Sequence, residues 1–229
     1  VIRSIATGAV NSVKWILGLS RLCMGTSGAE PVGRSSSFDE PMTASNFSIK
    51  DASTQGSADV QAVKIDRSAI FVQRSGKRAY DLSFTADAQD YSAQEITRFH
   101  PTVLNAGVKL IAVQRQPDTR IWFVLNDGTC AMLTYERSED VVSWNTFETD
   151  GLIEDVSILP NTEDDDVYMV VNRSINGGTR RFIEKLAYDT QAQGGTTNYM
   201  ADSYVTVTLS SSDTVTGLSH LEGEDVVVW

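Results

Sequence analysis

Two histidines, His100 and His220, are the only imidazoles in this 229-residue chain, and the sequence fixes no acid partner beside either of them. Triad members meet in space, so the adjacency of Ser219 and His220 carries no triad signal. No GxSxG, HExxH, phosphate-loop or dinucleotide fingerprint occurs. The densest carboxylate run is "NTEDDDVYM", where Asp164, Asp165 and Asp166 follow Glu163. Calcium takes several oxygen ligands, so Asp164, Asp165 and Asp166 are the chain's one metal alternative. The spacing and glycine of an EF-hand are missing, and a solvated loop between two strands is the simpler account. Asp87, Asp90, Glu136, Glu139 and Asp140 read as loop and turn carboxylates. A glycosidase needs two carboxylates facing one sugar, and no pair is singled out here. The expectation is therefore no catalytic residue, no cofactor and no metal.

The remaining reactive types read as structure. Cys23 and Cys130 lie far apart in apolar runs and read as small buried hydrophobes, with no CxxC or Cys/His cluster to hold zinc. Trp15, Trp122, Trp144 and Trp229 fall on or near strand positions, where core packing explains them. Arg74, Lys77 and Arg78, and the pair Arg180-Arg181, read as charges that guard strand edges. The net charge of −11 argues against a protein built to grip phosphate backbones. Apolar residues make up 41% and charged residues 21%, the balance of a folded globular protein. No apolar run is long enough for a membrane-spanning helix, and no signal peptide is visible.

The elements that must position these residues are strands. "TRIWFVLNDGTCAMLTYER" predicts a hairpin of residues 121–125 and 129–135 around Asn126-Asp127-Gly128, a type I′ signal in which both central residues need positive φ. "DVYMVVNRSINGGTRRFIEKLAY" predicts a second, pairing 167–172 with 179–186. "AIFVQRSGKRAYDLSF" predicts a third, turning at Ser75-Gly76, and "WILGLSRLCMGTSGAEPVG" a more ragged one. Their apolar strands, marked by Cys23, Phe71, Phe123, Met169 and Val227, recur roughly every 50 residues. Each is preceded by a short strand, and the first four are followed by a third strand and a variable fourth element such as "VVSWNTFET". This pattern predicts an all-β fold of β-propeller-like antiparallel blades with three to four strands. A β-sandwich competes, but it has no such longer period. Residues 88–104 are expected to hold one or two helical turns before Pro101, and 33–45 and 190–198 to be loops. Residues 1–190 then form about four blades of an incomplete propeller. Residues 191–229 form a linker and the start of a further, truncated β module.

Five blocks in order carry a resemblance: "AIFVQRSGKRAYDLSF", "ITRFHPTVLNAGV", "AVQRQPDTRIWFVLNDGTCAMLTYERSEDVVSWNTFETDGLIEDVSILP", "VYMVVNRSINGGTRRFIEKL" and "VTGLSHLEGEDVVVW". The quoted blocks run from Ala69 to Trp229, and the resemblance as a whole reaches back to about Trp15. The most specific is "NRSINGGTRRFIEKL", followed by the "P…W…DGT…LTY" frame of residues 117–135. The chain resembles the tail nozzle proteins of short-tailed bacteriophages, the tail tubular protein B family, and related prophage proteins. The resemblance implies a structural virion protein of the tail, assembled in the host cytoplasm, with a β-propeller part. It implies a homo-hexameric ring joined to the tail adaptor and tail fibre proteins, with DNA passing through the lumen without specific binding. It implies no catalytic residues.

The chain departs from the family in two ways. It has only part of the expected length, and residues 33–47 are atypical. The family continues a strand like "VVVW" into an Asp-Gly turn, so residues 226–229 are expected to be half of an interrupted hairpin. Such a strand should stay unpaired on one side or borrow a partner from residues 205–209 or a neighbouring molecule. The alternative function is a propeller enzyme or lectin acting on host surface glycans.

Overall fold

The computed structural model describes residues 11–35, 40–87, 89–191, 201–208 and 214–228. They form four antiparallel sheets, each made of strands consecutive in sequence. Sheet I comprises β1 (Val13–Gly18), β2 (Leu22–Thr26), β3 (Glu30–Ser35) and β4 (Phe47–Ser53). Sheet II comprises β5 (Val63–Ile65), β6 (Ser68–Val72), β7 (Ala79–Thr85) and β8 (Asp90–Glu95). Sheet III comprises β9 (Val108–Gln114), β10 (Arg120–Leu125), β11 (Cys130–Glu136) and β12 (Val141–Phe147). Sheet IV has three strands, β13 (Leu152–Leu159), β14 (Asp166–Ile175) and β15 (Gly178–Lys185). No α-helix occurs among the described residues, and no helix there is long and apolar enough to cross a membrane.

Three cores join the sheets as neighbours. Trp15, Cys23 and Val32 of sheet I pack with Ala69, Phe71, Leu82 and Tyr91 of sheet II. Ile70 and Val72 pack with Ile121, Phe123 and Leu133 of sheet III. Trp122, Val124 and Cys130 pack with Ile153, Val156, Met169 and Val171 of sheet IV. Side chains alternate across a strand, so β6 and β10 send successive residues into different cores. This explains their unbroken burial, whereas β14, in an end sheet, buries every second residue. The sheets form an open array and do not close into a ring. The cysteines are free and buried, and Trp15, Trp122 and Trp144 are buried in these cores, as expected. Trp229 lies outside the described residues.

Three local expectations are corrected. At Asn126-Asp127-Gly128 only Gly128 has positive φ, at 85°, so the loop is a three-residue turn rather than type I′. Both central residues are positive instead at Asn176 and Gly177, at 48° and 73°, where β14 meets β15. The expected helical turns in 88–104 are replaced by strand β8 followed by turns. β8 is an edge strand with only Tyr91 buried, so its polar sequence lacked an apolar strand signature. The expected strands at 205–209 and 226–229 do not form over their described parts, 205–208 and 226–228, and no sheet lies there to pair them. Leu209 and Trp229 fall outside the description. Val226, Val227 and Val228 are 53%, 76% and 87% exposed.

Gly128 has a second constraint. A Cβ there would lie 2.7 Å from Leu152 Cδ2 and 2.9 Å from Leu152 Cα. Gly128→Ala combines left-handed strain with a clash against backbone, and is expected to cost about 2 kcal/mol. Thermal unfolding would register this as a lowered Tm.

Candidate functional site

A cleft opens between sheets I and II and has a volume of about 860 Å³. Its chemistry comes from distant parts of the chain. Arg21 leaves the β1–β2 turn, Arg34 projects from β3 and Lys50 from β4, and all three reach Asp90 at the start of β8. The distances to the Asp90 carboxylate are 2.8, 3.2 and 3.7 Å. Arg21 also lies over the Phe84 ring, 5.4 Å from its centroid, where guanidinium–π attraction fixes it. The Tyr91 amide donates to Asp90 Oδ1 at 2.9 Å, and the Tyr91 hydroxyl is bonded to Ser20 Oγ at 2.7 Å. Met42, Pro41, Ser48 and Glu40 complete the wall. Of the three cations on Asp90, Arg21 and Arg34 also line the cleft, where guanidinium groups can orient an anionic group.

A buried carboxyl lies in sheet I, near half-buried Asp51. Glu30 is fully buried, accepts from Ser57 Oγ at 2.9 Å on Oε1, and has no partner for Oε2 among the described residues. Burial pushes its carboxyl up, and nearby Asp51 adds to this, while the Ser53 and Ser57 hydroxyls and the Gln55 amide pull the other way. A raised carboxyl disfavours the fold as pH climbs through the ordinary glutamate range, because the unfolded chain ionises first. Glu30→Gln should therefore stabilise the protein at pH 7 by about 1 kcal/mol. The gain should vanish below pH ~4, where the unfolded chain also holds the proton. Melting curves at both pH values check this.

Between sheets II and III, buried Asp81 accepts from the Tyr135 hydroxyl and pairs with Arg137 at 3.2 Å. Burial pushes the Tyr135 hydroxyl up, and Asp81 reinforces the shift. In sheet IV, Arg173 is almost fully buried and spends its guanidinium on four groups. It meets Glu184 at 2.6 and 2.7 Å, Asp202 and the Asp150 carbonyl at 2.6 Å each, and Thr149 Oγ1 at 2.8 Å.

The sequence candidates are not gathered by the fold. Asp165 is buried and accepts from the Arg115 and Gln116 amides at 2.7 and 3.1 Å, while Asp166 pairs with Lys185 at 2.7 Å. Lys185, then the Tyr188 hydroxyl, hold the Asp166 carboxyl below its usual range. Asp164 lines a small groove beside Pro117. Asp165 and Asp166 thus serve separate structural partners, and Asp164 lies in the groove wall. Among the described residues, no group of three or more His, Cys, Asp or Glu is placed to hold a metal. His100 is exposed on the turn after β8, and His220 lies in a single 3-10 turn, Ser219–Leu221. Glu136 caps Ser138, and Asp87, Glu139 and Asp140 are exposed. Asp90 alone among the turn carboxylates becomes a hub. Arg34, Lys50, Glu30, Asp81 and Arg173 were not singled out in the sequence, since their partners are set by the stacking of sheets.

No protein-family model matches the chain, and no curated protein is similar to it.

Proposed function

We propose that the chain is a structural component of a phage tail, a piece of the nozzle wall through which DNA leaves the virion. The supporting observation is the array of four antiparallel sheets stacked face to face in sequence order, the arrangement of β-propeller blades. Such a stack is rigid without any ligand, because each inner sheet is clamped on both faces. The block of closest resemblance, residues 172–186, supplies the polar frame of sheet IV. Arg173 binds Glu184, and Asn172 and Arg181 both bind Glu154 at 2.7–3.1 Å. An acidic wall suits a conduit for DNA, since carboxylates facing a lumen repel phosphates. In this reading the full-length protein forms a homo-hexameric ring and binds the tail adaptor and the fibres.

Electron microscopy of the full-length protein mixed with a tail adaptor from the same genome tests the reading. A ring seated on the adaptor is the expected image. A monomer without affinity for the adaptor would overturn it.

The cleft lined by Arg21 and Arg34 favours a second reading, a lectin or enzyme for acidic surface glycans. A glycan array and a hydrolysis assay on host polysaccharide decide between the two. Clear turnover would displace the nozzle.

A further inference from the structure

Sheets I, II and III each end on a fourth strand, β4, β8 or β12, laid antiparallel on the third. Sheet IV stops at β15. The outer edge of residues 178–185 therefore has no strand on it among the described residues, and about half of its backbone N–H and C=O groups point away from the sheet. Charged side chains usually guard such an edge, yet two of the three cations on β15 are engaged within their own sheet. Arg181 pairs with Glu154 at 2.7 Å, and Lys185 with Asp166 at 2.7 Å. Beside them Ile183 is 79% exposed.

The same chain carries a segment suited to this edge. Val205, Thr206, Val207 and Thr208 are all β-branched, a composition that favours strands. They are exposed and belong to no sheet. Residues 201–229 contain five carboxylates and no lysine or arginine, which complements the basic β15.

The segment does not fit its own β15. Asp202 is tied to Arg173 and Thr149, and Arg173 is level with Arg180 near the start of β15. An antiparallel fourth strand must enter from the Lys185 end. Only residues 203 and 204 separate the anchor from Val205, and a tight reversal alone takes two residues.

We infer that residues 205–208 of one copy add as the fourth strand to β15 of a second copy. Val205 and Val207 share one face of that strand, so they lie beside either exposed Ile183 or half-buried Phe182. Donor and acceptor are different surfaces, so the contact runs head to tail and builds rings or filaments. This contact follows from sheet topology, exposure and charge, and is independent of a phage origin.

Sedimentation velocity of the 229-residue chain tests it. Wild type is expected to form oligomers that dissociate on dilution. Val207→Pro, which removes a ladder donor, is expected to be monomeric at every concentration with an unchanged circular dichroism spectrum. A labelled peptide of residues 202–210 should bind the Val207→Pro monomer, and adding Ile183→Lys should weaken that binding about tenfold. A wild-type chain that stays monomeric, oligomers indifferent to Val207→Pro, or peptide binding indifferent to Ile183→Lys would each overturn the inference. So would hydrogen-exchange protection of 205–208 in the dilute monomer, which would mean pairing within one chain.

Discussion

Replacing Trp122 or Phe123 with alanine is expected to loosen two different parts of the molecule, although the two residues are neighbours in β10. Trp122 points into the core shared by sheets III and IV, edge-on to Phe147 with ring centroids 5.6 Å apart. Phe123 points into the core shared by sheets II and III, tilted against Trp144 at 5.1 Å. Both are essentially inaccessible to solvent, so each truncation should cost about 3–5 kcal/mol. Trp122→Ala also removes the indole that donates to Gln114 Oε1 at 3.2 Å. Hydrogen exchange should rise in β13 to β15 for Trp122→Ala and in β6 and β7 for Phe123→Ala. Identical exchange maps would mean that the array unfolds as one block and that the cores are not separable.

Arg173→Met should be the most damaging single charge removal. The guanidinium side chain is 7% exposed, and its carboxylate partners Glu184 and Asp202 are 29% and 40% exposed. This places the pair group between a surface and a buried ion pair, and a loss of about 2–3 kcal/mol is expected. The pH dependence gives an independent check. Burial alone would raise the Asp202 carboxyl, but the Thr149 hydroxyl and Arg173 outweigh it and hold the group below the aspartate range. Its stabilisation is therefore present above the unfolded pKa and lost as pH falls through the folded one. Wild type should lose this contribution in acid, and the gap between wild type and Arg173→Met should narrow there. A gap independent of pH would show that Arg173 acts by packing alone.

The strands were legible where their signals are local. Gly76, Gly128 and Asn176-Gly177 mark turns, and the β-branched and aromatic runs beside them mark the buried strands. The recurrence of these hairpins correctly anticipated an all-β chain of three- and four-stranded antiparallel sheets. Edge strand β8 was missed because exposure relaxes the need for apolar residues, leaving "DYSAQE" without a period. The strands expected at 205–209 and 226–229 failed for the opposite reason. Valine and threonine favour an extended backbone, but a strand exists only beside a partner. The charged sites were the least legible. Arg21 and Asp90 are 69 residues apart and Tyr135 and Asp81 are 54 apart, so only the stacking of sheets brings them together. Arg173, by contrast, lay inside the most distinctive block, and as the one cation of strand β14 it was a signal that could have been read.

The arrangement of strands also sets an order in time. Every sheet is built from consecutive stretches of chain, and among the described residues no later strand is threaded into an earlier sheet. Loop closure within each unit is short, which favours quick formation, and each finished sheet presents a ready apolar face to the next. A chain emerging from the ribosome can therefore fold vectorially, sheet I receiving sheet II before sheet IV has been translated. At every stage the exposed apolar surface is that of the newest sheet alone. A growing chain of this kind spends little time with unburied core, which limits its exposure to aggregation.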